Sequence, residues 1–272
     1  MKTFDGKNAV VTGGAGGIGR ALLVELAKQG ANVAFFDIGD LSQTKELLAQ
    51  YNVRVYSETV DITKPEQIYA FIDNTIEALG SVDLLVNNAG VALGDRTFDE
   101  LTPEDFEKIT DINYWGVVRT TQYLYPHMVK RPESAVVSIS SAAGIQPTPY
   151  LVPYCTTKFA VRGFSETLRA EHRIRGINNM TFHTVHPGCV ATDITLNAQY
   201  HGPNTVQFHQ ELQKRGCSPA QAAKIMLDGV KKNKGRIFIS DGYESDLLLR
   251  LFPTVFPTIM RWVIWWRRIP IR

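Results

Sequence analysis

A glycine-rich segment near the start of the chain constrains the fold more than any other feature. It reads Thr-Gly-Gly-Ala-Gly-Gly-Ile-Gly from Thr12 to Gly19, between an apolar run at residues 9–11 and a helical pattern. This order predicts a strand, a tight turn and a helix whose free N–H groups face a dinucleotide's phosphates. Gly13 permits the turn, Gly17 lets the backbone approach a pyrophosphate, and Gly19 lets the helix pack close to the strand.

Apolar runs typical of strands recur along the chain and alternate with helical patterns. Most of them are continuous, as expected for parallel strands that are covered on both faces. The pattern predicts an α/β fold: a Rossmann-like, doubly wound, seven-stranded parallel sheet with helices on both faces. The predicted strands are Asn8–Val11, Asn32–Phe36, Val53–Val60, Val82–Val86, Ala135–Ile139, Met180–Val185 and Arg236–Ile239.

Composition narrows the class of protein. The 272 residues are 44% hydrophobic, and a net charge of +2 excludes charge-driven nucleic-acid binding. The three cysteines are scattered and the six histidines show no metal-ligand spacing, so we expect free thiols, a reducing compartment and no metal. With no apolar leader, the chain is expected to be cytoplasmic. We predict one catalytic domain over residues 1–246 and a hydrophobic, basic tail over residues 247–272.

The glycine spacing, Thr-Gly-x-x-x-Gly-x-Gly, resembles that of the short-chain dehydrogenase/reductase family, in its short single-domain type. Two later motifs follow in the family's order: Asn-Asn-Ala-Gly from Asn87 to Gly90, and Tyr-x-x-x-Lys from Tyr154 to Lys158. A Tyr-x-x-x-Lys pair alone usually marks a solvated helix face, but this one stands 13 residues after Ser141, which is the family's spacing. The resemblance covers roughly residues 5–240 and implies hydride transfer with a nicotinamide cofactor.

The resemblance implies a catalytic group of four side chains. Tyr154 and Lys158 are one helical turn apart, so they share a face. Tyr154 is expected to act as general base in oxidation and general acid in reduction, while Lys158 lowers its pKa and holds the nicotinamide ribose. Ser141 would donate to the substrate oxygen. Asn113, in a helix predicted near 103–128, would hold a kink and a water-linked proton path.

Asp37 predicts the choice of cofactor. It lies 18 residues past Gly19, close to the spacing of the acid that accepts hydrogen bonds from the adenosine ribose. Its carboxylate would also repel the 2′-phosphate of NADP. No basic residue follows it, and Gly16 stands where NADP-preferring family members often carry one. We therefore expect NAD.

Other cofactor contacts rest on the resemblance. Asp61 would contact the adenine amino group or, equally well supported, cap the helix that starts near Pro65. Asn87 and Gly90 are expected to be cofactor-adjacent, with a structural role at the strand end. The predicted cofactor-binding residues are Gly13, Gly17, Ile18, Gly19, Asp37, Asp61, Ile62, Asn87, Gly90, Tyr154, Lys158, Pro187, Gly188, Val190 and Thr192.

Two segments after the predicted sixth strand carry less pattern. Residues 193–215 are polar with little periodicity, so we expect an irregular segment, and the family resemblance implies that it folds over the substrate as a lid. A helix is predicted over 218–233, with Ser218 and Pro219 at its start.

The tail holds five arginines, three tryptophans and no acidic residue, and 258–268 could form a short helix. Peripheral membrane contact through residues 254–272, packing on a subunit and a hydrophobic substrate wall stay open.

The leading hypothesis is an NAD-dependent dehydrogenase or reductase that acts on an apolar secondary alcohol or ketone. A 3-oxoacyl reductase is an alternative, although Asp37 counts against the NADPH it would use. A non-catalytic NAD-binding sensor or scaffold is another, and so is a membrane-docked enzyme that modifies lipids. The family's helix pairing between subunits implies a homodimer or homotetramer.

Overall fold

One seven-stranded parallel sheet organises the computed structural model, which describes residues 1–200, 202, 205–240, 242–255, 258, 261 and 262. The sheet order is β3-β2-β1-β4-β5-β6-β7, with parallel pairing throughout. This confirms the predicted fold class. The strands are β1 Asn8–Thr12, β2 Asn32–Asp37, β3 Val55–Thr59, β4 Leu84–Asn87, β5 Ser134–Ile139, β6 Met180–Pro187 and β7 Arg236–Ile239.

Helices cover both faces of the sheet and divide the core into two layers. Ala9 and Val11 of β1 pack with the first and eighth helices, whereas Val10 between them packs with the third and fifth. The central strands are therefore apolar on both faces, which explains their continuous hydrophobic runs. The helices are α1 Gly17–Lys28, α2 Ser42–Leu48, α3 Pro65–Leu79, α4 Pro103–Thr110, α5 Gly116–Met128, α6 Val152–Ile174, α7 Thr205–Arg215, α8 Pro219–Lys231 and α9 Gly242–Leu251.

The sheet order changes direction between β1 and β4. The chain builds β1, β2 and β3 outward to one side, then crosses to β4 and continues to the other side. The loops at the carboxyl ends of these two strands diverge, which leaves a crevice where ligands bind in open α/β sheets. The glycine-rich turn follows β1, and the Asn-Asn-Ala-Gly motif follows β4.

Strand pairing and helix packing move some predicted boundaries. β3 is shorter than the predicted strand because only Val55–Thr59 is paired with β2. The helix predicted near 103–128 is α4 and α5 joined by a π-helical turn at Asp111–Trp115. The predicted helix after Ser218 is confirmed as α8, and the Ser218 hydroxyl accepts the Gln221 N–H at 3.2 Å.

The prediction of an irregular segment over residues 193–215 is wrong for its second half, which forms α7. This helix is mostly polar, so its periodicity is weak, and tertiary contacts hold it in place. Leu212 is buried, and the Thr195 hydroxyl lies 2.9 Å from Nδ1 of His209.

Much of the predicted tail lies outside the described residues, including most of the helix predicted over 258–268. Within the described part, α9 crosses the predicted domain boundary at residue 246. The division of the chain into domain and tail stays a prediction. Among the described helices, none combines the length and the apolar character needed to cross a membrane.

Candidate active site

The glycine-rich turn is shaped by positions where a side chain cannot fit. Gly13 has φ +72°, and its N–H donates to the Phe36 carbonyl at 2.8 Å. A Cβ on Gly19 would overlap the Gly13 carbonyl oxygen, so α1 can approach β1 only with glycine there. Gly16, by contrast, has open space around its Cα. The turn therefore packs tightly against the protein at Gly13 and Gly19, and leaves open space beside Gly16.

Thr12 and Asn88 tie the glycine turn to the loop after β4. The Asn88 amide donates to the carbonyls of Thr12 and Gly13, both at 2.9 Å. The Thr12 hydroxyl accepts the N–H groups of Asn88 and Ala89. Sequence reasoning singled out Asn87 and Gly90 in this motif and missed Asn88. The available signal was the residue type: an Asn side chain at a strand end can donate to backbone carbonyls of a neighbouring turn.

Asp37 lies against the glycine turn. One carboxylate oxygen accepts the Ala15 N–H at 2.9 Å, and the other accepts the Gly39 N–H at 3.0 Å. The side chain is partly exposed at the end of β2. Its carboxylate is therefore fixed at the rim of the crevice.

Asp61 does not cap α3, so that interpretation is wrong. Its carboxylate accepts the backbone N–H and the hydroxyl of Thr63 at 2.9 and 2.8 Å, which is a local turn. Lys64 occupies the N-cap position of α3. Ile62 is buried against α5, where it would contact any Cβ placed on Gly116.

The loop after β4 reaches the catalytic group through Gly90. The Asn87 amide points away from that group and donates to the Thr121 hydroxyl of α5 at 2.9 Å. A Cβ on Gly90 would lie 3.2 Å from the Asn113 amide oxygen and 3.3 Å from Nζ of Lys158. A side chain at position 90 would therefore crowd both Asn113 and Lys158.

Asn113 sits in the π-helical turn and is fully buried. Its amide oxygen accepts the Val91 N–H at 2.8 Å, and its amide nitrogen donates to the Val91 carbonyl at 2.9 Å. A weaker bond of 3.3 Å reaches the Thr157 hydroxyl on α6. A π-helical turn stands where the kink was predicted, and Asn113 links α4–α5, the β4 loop and α6.

Lys158 is buried on α6 and turned toward β5. Its ammonium donates to the Ile139 carbonyl at 3.0 Å, and burial lowers its pKa to about 8. The Lys158 nitrogen lies 5.6 Å from the centre of the Tyr154 ring. The two side chains share a helix face, as the i, i+4 spacing predicted.

The side chains of Tyr154 and Ser141 are close enough to interact, and Ser141 acts to lower the pKa of Tyr154. Desolvation raises the pKa of Tyr154 to about 12, and Ser141 only partly opposes that rise. The expected lowering of this pKa by Lys158 is therefore not found. Burial removes the water that would stabilise a phenolate, and the ammonium is directed at the Ile139 carbonyl.

The turn after β6 closes the site. Pro187 ends β6, the Gly188 N–H donates to the Ile239 carbonyl at 2.9 Å, and Val190 forms a bridge with Cys217. The Thr192 methyl would lie 3.5 Å from a Cβ on Gly17, so this turn stands over the start of α1. The predicted nucleotide and catalytic residues thus line one edge of the sheet.

Comparison with known proteins assigns the family. The sequence model of the short chain dehydrogenase family matches residues 7–201, which is most of the chain. The chain belongs to the short-chain dehydrogenase family. SadH of Mycobacterium tuberculosis, named as an oxidoreductase, is 32% identical to this dehydrogenase over 266 residues, covering 96% of both proteins.

Two further proteins similar to this dehydrogenase have names that state a substrate class or a bound cofactor. The 17-beta-hydroxysteroid dehydrogenase 13 of Rattus norvegicus is 28% identical, covering 92% of this chain and 80% of its own. A short chain dehydrogenase from Mycobacterium paratuberculosis, whose crystal structure was solved bound to NAD, is 27% identical with a TM-score of 0.77. That comparison covers 90% of this chain and 99% of the other.

Proposed function

We propose that this short-chain dehydrogenase is an NAD-dependent oxidoreductase that transfers a hydride between the nicotinamide and a secondary alcohol or ketone. One observation carries the proposal: Tyr154 interacts with Ser141 and shares a helix face with Lys158, at the sheet edge that holds the open glycine turn. The NAD-bound relative from Mycobacterium paratuberculosis supports the choice of nucleotide.

The residues at the glycine turn fit a dinucleotide. Among the described residues, no side chain caps the start of α1, and its first turn holds no acidic residue. The N–H groups of Gly17, Ile18 and Gly19 are therefore available for phosphate. The Asp37 carboxylate, at the rim of the crevice, is proposed to accept hydrogen bonds from the ribose hydroxyls. When bound, NAD supplies the group that takes up or gives the hydride.

The other cofactor contacts complete this proposal. Thr192 stands over the start of α1, which supports contact of its turn with the nucleotide. We propose that Lys158 binds the nicotinamide ribose and also stabilises the phenolate form of Tyr154. The remaining residues proposed to border the nucleotide are Gly13, Asp61, Ile62, Asn87, Gly90, Pro187, Gly188 and Val190.

Three side chains handle the proton and the charge at the substrate oxygen. The phenol of Tyr154 gives its proton during reduction and takes one during oxidation. The Ser141 hydroxyl donates to the same substrate oxygen, where charge develops. The Lys158 ammonium offsets part of the cost of a buried phenolate. Asn113 keeps the surroundings of Lys158 in place and completes the proposed proton path.

We propose an apolar substrate. The residues before the catalytic tyrosine are Tyr150, Leu151 and Val152, and the hydroxysteroid dehydrogenase among the relatives is named for a hydrophobic alcohol. Asp37 disfavours the 3-oxoacyl reductase, which would use NADPH. The intact Tyr154 and Lys158 disfavour a non-catalytic sensor or scaffold.

Replacing the catalytic tyrosine tests the proposed function. We expect Tyr154→Phe to lower turnover about 10²- to 10⁴-fold, because the variant loses the group that transfers the proton. NADH formation is measured with NAD and NADP on secondary alcohols of rising chain length. NADH binding, followed by fluorescence titration, should stay within about twofold of wild type, because the nucleotide contacts proposed for the turn are unchanged.

The matched control is Tyr69→Phe, which removes a hydroxyl from a tyrosine stacked on Tyr123 of α5. It should leave turnover unchanged. Turnover retained in Tyr154→Phe would refute the assignment of the proton-transfer group. Tight NADH binding with no turnover on any alcohol or ketone in wild type would favour the sensor or scaffold.

We also propose that the protein is a homodimer or homotetramer. Large apolar side chains are exposed on the outer surface formed by α4 to α6 and the π-helical turn. Trp115 is 46% exposed and Phe159 is 40% exposed. The Arg119 guanidinium lies 5.8 Å from the Trp115 ring centre. Aromatic residues and arginine are enriched at protein interfaces, which supports subunit contact through this surface.

Finally, we propose peripheral contact of the C-terminal region with an anionic membrane surface. Exposed apolar side chains recur one helical turn apart along α9, at Tyr243, Leu247 and Leu251, and continue at Phe252 and Val255. The sequence from residue 247 to 272 adds five arginines and no acid. An apolar stripe next to basic residues is suited to the headgroup boundary.

A further inference from the structure

The segment that carries Ser141 is anchored by several bonds to its backbone. We call residues 140–144 the serine turn. The Ser140 hydroxyl donates to the Lys158 carbonyl at 2.8 Å, and the Ser141 hydroxyl accepts the Ala143 N–H at 3.1 Å. The Ser141 carbonyl accepts the Gly144 N–H at 3.0 Å inside the turn. The direction of the Ser141 side chain is therefore set by how this backbone is held.

A histidine from the neighbouring strand contacts the serine turn. Nδ1 of His186, near the end of β6, lies 3.2 Å from the Ser141 carbonyl oxygen. A carbonyl can only accept, so the proton of this bond belongs to Nδ1. The contact comes from outside the turn and links it to the central sheet.

His186 is itself tightly held. It is fully buried, its ring stacks on Phe238 of β7 with centres 5.5 Å apart, and its carbonyl lies 2.6 Å from where a Cβ on Gly242 would stand. Burial lowers its pKa to about 4, and the charges of Arg162 and Arg236 act in the same direction, whereas the bond to the Ser141 carbonyl and the Glu166 carboxylate oppose the fall. The imidazole is thus neutral at pH 7 and cannot swing toward solvent without breaking its packing.

We propose that His186 is a positioning residue: its Nδ1–H holds the Ser141 carbonyl so that the serine hydroxyl faces Tyr154. This inference rests on the proposed function, in which Ser141 donates to the substrate oxygen. Placing that donor correctly matters because a displacement of about 1 Å can cost catalysis about a hundredfold. His186 touches neither substrate nor nucleotide in this role and acts through Ser141.

Two nearly isosteric substitutions isolate the hydrogen bond. The side-chain nitrogen of Asn can occupy the position of Nδ1, so His186→Asn keeps a donor for the Ser141 carbonyl. His186→Leu has a similar branched shape and no donor, and both variants lose the ring that stacks on Phe238. A difference between them therefore reports the hydrogen bond rather than the packing.

The first readout is amide hydrogen exchange of the peptide that covers residues 140–146, which needs no substrate. We expect exchange to be about tenfold faster than wild type in His186→Leu and close to wild type in His186→Asn. Equal exchange in the two variants, whether slow or fast, would overturn the proposal. If the Leu variant does not fold, His186→Gln replaces it. The Gln amide lies one methylene farther out than that of Asn, so it does not occupy the position of Nδ1.

The second readout is the split between turnover and nucleotide binding. We expect kcat to fall about tenfold or more in His186→Leu and no more than about threefold in His186→Asn, with NADH binding unchanged. In a Ser141→Ala background, His186→Leu should cause no further loss of kcat. An equal effect with and without the Ser141 hydroxyl would overturn the proposal.

The two readouts separate this inference from the proposed function. Wild-type protein that turns over no alcohol or ketone contradicts the proposed function, and hydrogen exchange still decides whether His186 holds the serine turn. Active wild-type protein with indistinguishable Asn and Leu variants contradicts the positioning role alone.

Discussion

At the scale of single residues, burial favours the neutral form of both titratable groups in the catalytic pair. It raises the pKa of Tyr154 to about 12 and lowers the pKa of Lys158 to about 8. A phenol that holds its proton is ready to donate it, as ketone reduction requires. In oxidation, the Lys158 charge must offset the desolvation of the phenolate. A raised pKa also makes the phenol a weaker acid, so proton donation in reduction depends on stabilisation of the phenolate that it leaves.

The carboxylate of Asp37 is expected to set the choice between NAD and NADP. Asp37→Asn keeps an oxygen that can accept the Ala15 N–H but removes the charge that would repel a 2′-phosphate. We expect the ratio of kcat/KM for NAD to that for NADP to fall about 10- to 100-fold, because a hydrogen bond to a charged group contributes about 1.5–3 kcal/mol. Steady-state kinetics with both nucleotides measure the ratio.

Asp40→Asn is the matched control for this prediction. Asp40 is exposed three residues further on, and its carboxylate is bonded to Ser42. Its replacement should leave the nucleotide preference unchanged. A ratio that stays at the wild-type value in Asp37→Asn would show that this carboxylate does not select the nucleotide.

At the scale of elements, the π-helical turn between α4 and α5 shapes the catalytic group. A π turn widens the helix locally, and such turns are frequent at functional sites. Here it places the Asn113 side chain against the backbone of Val91, beyond the end of β4. The helix joint and the strand-end loop therefore behave as one unit beside Lys158.

Removing the Asn113 amide should destabilise this unit. Asn113→Ala leaves the N–H and the carbonyl of Val91 without their present partners in a buried place, so we expect the free energy of unfolding to fall by about 2–4 kcal/mol. Urea unfolding measures the change. Asn74→Ala, which removes an exposed amide bonded to Glu58, should change stability by less than about 0.5 kcal/mol. Equal effects would show that the Val91 bonds contribute little.

At the scale of the whole molecule, the sheet gathers the site at one edge while the C-terminal surface stays apolar and exposed. Leu247 and Leu251 are 45% and 62% exposed on α9, and Trp262 is 67% exposed. Exposed apolar groups of this size, next to basic residues, suit the headgroup boundary. The full chain is therefore expected to sediment with anionic vesicles.

Substitutions on this surface test the membrane proposal. Leu247→Ser combined with Leu251→Ser should reduce the vesicle-bound fraction severalfold, as should deletion of residues 254–272, because each removes apolar area from the contact. The control pair is Phe98→Ser with Ile174→Ser, two exposed apolar residues outside the tail. Sedimentation that is absent in wild type, or equal in all variants, would exclude the membrane contact.

Local sequence pattern was sufficient for the fold, and the family resemblance supplied most of the predicted site residues. The glycine turn needs Gly13 and Gly19 for steric reasons that act within a few residues. The i, i+4 spacing of Tyr154 and Lys158 fixes their shared helix face. Continuous apolar runs predicted the strands because both faces of a parallel sheet are buried. These features depend on short-range geometry.

Tertiary structure alone decided the features that depend on long-range contact. The Asn88 bonds to the glycine turn and the contact of His186 with Ser141 join segments far apart in sequence, and α7 is held by a contact with a residue 14 positions earlier. No spacing rule encodes these contacts. The direction of the Tyr154 pKa shift belongs here too, because desolvation depends on everything packed around the ring. The sequence by itself determined which groups this dehydrogenase carries and in what order. The packed structure decided which atoms they meet and how strongly water is kept from them, since both depend on neighbours that only folding brings together.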